Sequence, residues 1–188
     1  KSNLKFHYIK RRLPPPEAEK ILRLGVEGVY SQQEYQRFYP QGEVAAHLVG
    51  FSNVDDVGQE GLELTYDNWL KGVPGRRQVM QDQRGNIIEE LNTIQPAQPG
   101  KKLELSIDFR IQNIAYRELK EEFVARRARA ASIVVLDVKT GEVLAMANQP
   151  SYNPNAKSGI KDFSVIRNRA ITDVFEPGST VKAFTIAA

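Results

Sequence analysis

The stretch Phe175-Glu176-Pro177-Gly178-Ser179-Thr180-Val181-Lys182 decides how the chain is read. Pro177-Gly178 ends whatever precedes it, and Val181, Ala183, Phe184, Ile186 and Ala187 then follow at helical spacing, which predicts an apolar helix that buries one side. Residues three apart on a helix share a face, so the amine of Lys182 can reach the hydroxyl of Ser179 and take its proton. An ordinary lysine, with a reference pKa of about 10.4, is protonated at neutral pH and cannot do this. Desolvation would free the amine, and burial of the apolar helix is expected to supply it. A serine at a buried helix N-terminus also sets backbone N–H groups where an oxyanion forms. Residue spacing alone leaves a second possibility open, in which Ser179 is a helix cap and Lys182 a surface lysine of the first turn.

The S-x-x-K string occurs three times, at Ser2 to Lys5, Ser158 to Lys161 and Ser179 to Lys182. Ser2 lies in a polar start, and Ser158 is followed by Gly159 inside a long polar stretch from Asn148 to Val174 that is predicted to be a surface excursion. Only Ser179 opens an apolar helix.

Outward from this motif, the sequence divides near residue 100. Ser132 to Leu136 and Glu142 to Ala147 enclose Asp137-Val138-Lys139-Thr140-Gly141, predicting a β-hairpin covered on both faces. Asp108 is a helix cap for a segment from Phe109 to about Arg127, with Ile111, Ile114, Ala115, Leu119 and Phe123 inward, and Leu103 to Ile107 alternates like a strand. Asn92 to Lys102 carries Pro96, Pro99 and Gly100 and reads as a linker. Before it, Arg76 to Gln81 and Asn86 to Leu91 flank Asp82-Gln83-Arg84-Gly85, a β-ribbon signal. Leu62, Tyr66, Trp69 and Leu70 share one face of a helix ended by Gly72, Val44 to Val49 makes a turn or two of helix, and Pro14-Pro15-Pro16 opens a short helix that stops near Gly25.

Composition narrows the chemistry. The 188 residues contain no cysteine, which removes disulfides, thiolate metal sites and cysteine nucleophiles, and the two histidines, His7 and His47, lack ligand-spaced neighbours. No metal and no cofactor is expected. Net charge is +3, from 26 basic and 23 acidic residues, too small an excess for a nucleic-acid surface. The clusters Lys10-Arg11-Arg12 and Arg126-Arg127-Ala128-Arg129 are expected to be a solvated loop and a helix end. No apolar run approaches the roughly 20 residues that span a bilayer. The polar start and the apolar, uncapped end predict that both termini are cut.

Phe175 to Lys182 resembles the nucleophile motif of class B penicillin-binding proteins, and the resemblance extends along the chain in order: Tyr39 to Phe51, Gly58 to Glu63, Leu105 to Asp108, Thr140 to Asn148 with Pro150-Ser151-Tyr152-Asn153-Pro154, and Arg167-Asn168-Arg169. Gly50-Phe51-Ser52-Asn53-Val54-Asp55 is similar to the division-specific, septal branch. The resemblance implies an α+β chain with a non-catalytic pedestal (dimerisation-type) domain over 1–100 and the truncated start of a penicillin-binding, serine β-lactamase-like transpeptidase domain over 101–188. It implies a peptidoglycan D,D-transpeptidase in which Ser179 is the acyl nucleophile and Lys182 the general base, acting on stem peptides and acylated by β-lactams. Division proteins and a lipid-linked glycan polymerase would be its partners, at the periplasmic face of the inner membrane, held there by an N-terminal anchor outside this chain.

Two further motif-like strings precede the serine, whereas the family's partners follow it. Lys139-Thr140-Gly141 is the predicted hairpin turn, and Ser151-Tyr152-Asn153 lies in a proline-bracketed loop, so neither is assigned to catalysis. With six residues after Lys182, the 188-residue chain alone is expected to be inactive. Two other functions compete: a pedestal that serves as a protein-binding module, suggested by Tyr35 to Tyr39 and Trp69, and a β-lactamase or β-lactam sensor.

Overall fold

The structure, a computed structural model, describes residues 7–81, 87–157 and 160–187. The predicted turn at Asp82 to Gly85 and the serines Ser2 and Ser158 lie outside them. Two compact units emerge, Lys1–Phe38 and Tyr39–Ala188. In the first, helix α1, Pro15–Leu22, has proline at its opening, where a missing N–H costs nothing, and no buried residue. Arg11 pairs with Glu34 at 2.8 Å and lies over the Tyr8 ring. Tyr35 and Phe38 are exposed.

The second unit begins with a 3-10 turn, Gly42–Val44, and helix α2, Ala46–Val49, which lead to strands β1 (Phe51–Ser52) and β2 (Gly58–Glu60). Gly50, at φ +77°, lies so close to the end of β2 that an added Cβ would fall 1.8 Å from the Glu60 carbonyl oxygen. Only glycine fits there. The predicted helix over Leu62 to Leu70 is two short ones, α3 (Gly61–Thr65) and α4 (Asp67–Leu70), broken at Tyr66 (φ −109°). Asp67 turns its carboxylate back to accept the Gly58 N–H at 2.8 Å, and Glu63, not an apolar residue, is the side chain this pair buries.

Strands β3 (Arg76–Gln81) and β4 (Ile87–Gln95) pair antiparallel. β4 therefore runs well into the predicted linker: Asn92, Thr93 and Gln95 pair with Gln78, Arg77 and Arg76, and a bridge from Val73 to Gln98 closes the base of the ribbon. Extended, β-branched residues opposite an existing strand outweigh the loop signal until Pro96 removes a donor.

Leu103 to Ile107 does not form a strand. Ser106 Oγ instead donates to the Val143 carbonyl and the Asp108 N–H to the Leu144 carbonyl. Helix α5, Phe109–Ala125, follows, with the Asp108 carboxylate accepting the Arg110 N–H at 2.8 Å as its cap. Its buried face is Gln112, Ala115, Tyr116 and Leu119, so Ile114, expected inside, is exposed. Hairpin strands β5 (Ala131–Leu136) and β6 (Val143–Gln149) offer Ala145 and Ala147 to α5, small side chains that let the helix sit close. The sheet is not covered on both faces: Val134 and Leu136 are exposed.

Gln112, with 0% exposure, works as a surrogate strand. Its Oε1 accepts the Met146 N–H at 2.8 Å, while Nε2 donates to the Met146 carbonyl at 2.9 Å and to the Val44 carbonyl at 2.7 Å. This satisfies the outer edge of β6 without another strand.

The stretch after β6 is not a surface excursion. A second core joins Ala46 to Tyr152 and Ile166, and the residues from Ser151 onward fasten the segment Tyr39 to Ser52: Ser151 Oγ to the Glu43 carbonyl (3.0 Å), Tyr152 Oη to the Ala46 carbonyl (3.1 Å), Asn155 Nδ2 to the Tyr39 carbonyl (2.8 Å) and Lys157 Nζ to the Ser52 carbonyl. A 3-10 turn, Phe163–Ile166, and helix α6, Arg169–Thr172, complete it.

Candidate active site

The path to Ser179 starts at α6. A four-residue helix has no stability of its own, so its neighbours must hold it. Its N-cap residue, Asn168, makes no side-chain cap; the Ala170 N–H is bound at 2.8 Å by Oδ1 of Asn148, a residue of β6 with 1% exposure. Asn148 Nδ2 also donates to Asn168 Oδ1 (2.9 Å), and Ser132 Oγ donates to Asn148 Oδ1 (2.7 Å). At the other end of α6, Asp173 is paired with Arg167 and, at 3.0 Å, with Arg169. From there Asp173 to Gly178 leads to the serine, with Val174 and Phe175 exposed.

Gly178 takes φ +58°, turning the chain into a 3-10 turn, Gly178–Val181, that passes into helix α7, Lys182–Ala187. The Lys182 N–H returns to the Ser179 carbonyl. The backbone therefore carries Ser179 and Lys182, the two predicted site residues, three positions apart within one turn. Neither side chain has a hydrogen-bond partner among the described residues, and both are exposed.

The expected burial of this helix is absent: Phe184 is 76% and Ile186 85% exposed. Among the described residues no element packs on the apolar side of α7, and this side cannot desolvate the lysine.

The two other motif-like strings are structural. Asp137 Oδ1 accepts the N–H groups of Lys139 and Thr140, folding Lys139 to Gly141 into the hairpin turn, while Ser151 and Tyr152 are bound to the Tyr39 to Ser52 segment. His47 is buried with Nε2 at 2.8 Å from the Val165 carbonyl, and its ring meets Tyr152 edge-on. The described residues contain no group of three or more metal-ligating side chains, and none of their helices is long and apolar enough to cross a membrane.

The sequence alone assigned no role to Asn148, Asn168, Glu43 or Gln112. Glu43 accepts from the Tyr116 hydroxyl (2.7 Å) and Lys120 Nζ (3.1 Å); the Tyr116 bond and the nearby ammonium hold its carboxyl below the usual range despite partial burial. The available signal was polarity out of place, an amide at the end of an apolar strand and another on the inward face of a helix.

Comparison with known proteins gives the same order of parts. The family described as penicillin-binding protein dimerisation domain matches residues 2–105, and that described as penicillin binding protein transpeptidase domain matches 131–188. The chain is 48% identical over 182 residues to the Escherichia coli K12 peptidoglycan D,D-transpeptidase FtsI, covering 97% of this chain and 31% of that protein. It is 45% identical over 184 residues to the Neisseria meningitidis probable peptidoglycan D,D-transpeptidase PenA, covering 97% and 32%. Among solved structures, penicillin binding protein 3 of Mycobacterium tuberculosis in its apo form aligns with a TM-score of 0.64 and 32% identity, over 81% of this chain and 30% of that one. The chain spans about a third of the length of these curated relatives. With the dimerisation-domain family matched over more than half of its residues and the transpeptidase-domain family over its last 58, the chain belongs to the class B penicillin-binding proteins.

Proposed function

We propose that the chain is part of a septal peptidoglycan D,D-transpeptidase, with a pedestal over 1–100 and the start of the transpeptidase domain over 101–188, in which Ser179 is the acyl nucleophile and Lys182 its base. The observation that supports this is the turn Gly178–Val181 leading into α7, whose backbone carries Ser179 and Lys182 three positions apart in one turn. Ser179 Oγ attacks the carbonyl carbon between the last two D-alanines of a stem peptide while its proton passes to the Lys182 amine acting as base. The C–N bond breaks, the departing D-alanine takes that proton, and an acyl ester remains on Oγ. The amine of a second stem peptide then attacks the ester and loses a proton by way of Lys182, and Ser179 leaves as the free hydroxyl. One peptide bond forms for each one broken.

A β-lactam presents its ring carbonyl to the same serine. On this account the walls that desolvate the pair belong to the length of the relatives outside the match, 31% of the FtsI sequence being covered here. The protein acts in the cell envelope, on the periplasmic face of the cytoplasmic membrane, with division proteins and a glycan polymerase as partners.

The test uses the complete gene product with a donor stem-peptide mimic and a D-amino acid acceptor. Exchanged product, the donor peptide carrying the acceptor D-amino acid in place of its terminal D-alanine, is expected from the wild type and none from Ser179→Ala, while Lys182→Ala slows the reaction by about 10² or more, the usual loss of a general base. Product formation by Ser179→Ala would overturn the assignment.

A further inference from the structure

Asn148 is the buried polar residue whose bonds converge on the element that delivers the nucleophile. Its side chain is almost fully buried, and its amide is spent in three directions: Oδ1 accepts from Ser132 Oγ on β5 and from the Ala170 N–H at the start of α6, and Nδ2 donates to Asn168 Oδ1. Two of the three bonds go to α6, a helix too short to hold itself. Asn168 in turn points Nδ2 at the His47 carbonyl, 3.4 Å away, in the segment fastened beneath it. Burial of an amide is costly unless every group is paired, and an apolar residue at the same place would leave the Ala170 N–H without this partner. Downstream, Asp173 is tied to Arg167 and Arg169, and only the six residues from Asp173 to Gly178 separate α6 from Ser179.

We propose that Asn148 is a positioning residue for acyl transfer: by capping α6 from the sheet it fixes the point from which Asp173 to Gly178 sets the Ser179 hydroxyl against its acceptor carbonyl. This rests on Ser179 being the nucleophile. Asn148 touches neither substrate nor Ser179 and acts through α6. A displacement of about 1 Å at the reacting atom is enough to cost on the order of 10²-fold in rate, and loss of both bonds to α6 permits a shift of that kind.

The experiment measures benzylpenicillin acylation of the complete gene product under single-turnover conditions, resolving the noncovalent dissociation constant, the acylation rate constant and the fraction of molecules labelled at the end point. Asn148→Ala and Asn168→Ala are each expected to lower the acylation rate constant by about 10-fold to 100-fold, with the dissociation constant within about twofold and full labelling of the folded protein. Ser132→Ala, which removes only the bond toward β5, is expected to leave the rate constant unchanged. A role in folding alone predicts the opposite pattern, a smaller labelled fraction with an unaltered rate constant, and that result overturns the proposal. So does an equal slowing by Ser132→Ala. If Asn148→Ala does not fold, Asn168→Ala decides, since its side chain is less buried. A wild type that is never acylated would remove the nucleophile assignment and this inference with it, an outcome distinct from a labelled wild type whose variants react at the same rate.

Discussion

At the residue scale, His47 shows how one buried group couples the unit to pH. A carbonyl only accepts, so the bond to Val165 requires the proton on Nε2 and leaves Nδ1 as the position that would gain a second one. Burial lowers the pKa of His47 below its usual value, the bond to Val165 opposes that shift, and the guanidinium of Arg169 adds to it. With the folded pKa below the unfolded one, the unfolded state binds more protons between the two values, and stability falls as pH drops. The contribution is fully present above about 6.5, the unfolded pKa, and is lost as pH passes down through the folded value. Denaturant midpoints between pH 8 and pH 5 are therefore expected to fall more steeply for the wild type than for His47→Gln, which cannot titrate. Parallel curves would contradict this. The sequence made His47 visible as a histidine without ligand neighbours; its burial depends on Tyr152 and Val165, more than a hundred positions away, and spacing carries no trace of that.

At the scale of elements, α5 against the β5–β6 hairpin holds the larger of the two clusters of buried residues described. Leu119 is buried against a group that includes Ala145 and Ala147, whereas Ile114, on another side of the same helix, is exposed. Leu119→Ala is expected to destabilise the chain by about 2–4 kcal/mol, the range for removing buried methyl groups, and Ile114→Ala by less than about 0.5 kcal/mol. Equal losses in urea unfolding would refute the assigned face. The cap at Asp108, the helix and the hairpin were legible because each is encoded locally, by a carboxylate before an apolar run or a glycine turn between β-branched segments. The inward face was not, because the helix turns Gln112 toward the sheet. That amide finds the Met146 backbone, and the face rotates so that Tyr116 goes inside in place of Ile114. The predicted strand at Leu103 to Ile107 is absent: Gln112 takes both backbone groups of Met146 on β6, and Ser106 reaches the Val143 carbonyl with its side chain rather than its backbone.

For the whole molecule, the segment Tyr39 to Ser52 and the stretch from Ser151 to Asn168 form one structure, joined by side-chain bonds to backbone carbonyls. The polar residues that made Asn148 to Val174 look like a surface loop are the ones that make these bonds, so composition pointed to solvent where the chain is in part buried. The S-x-x-K turn, by contrast, was legible from spacing, and its surroundings were not, since the apolar side of α7 has no cover among the described residues. The account stands on Ser179 as an acyl nucleophile. Its most direct test is intact mass spectrometry of the complete gene product with and without benzylpenicillin, followed by peptide mapping. One penicilloyl group on the peptide containing Ser179, absent from Ser179→Ala and from the 188-residue chain by itself, is the predicted result; an adduct that persists in Ser179→Ala or maps to another residue would contradict it.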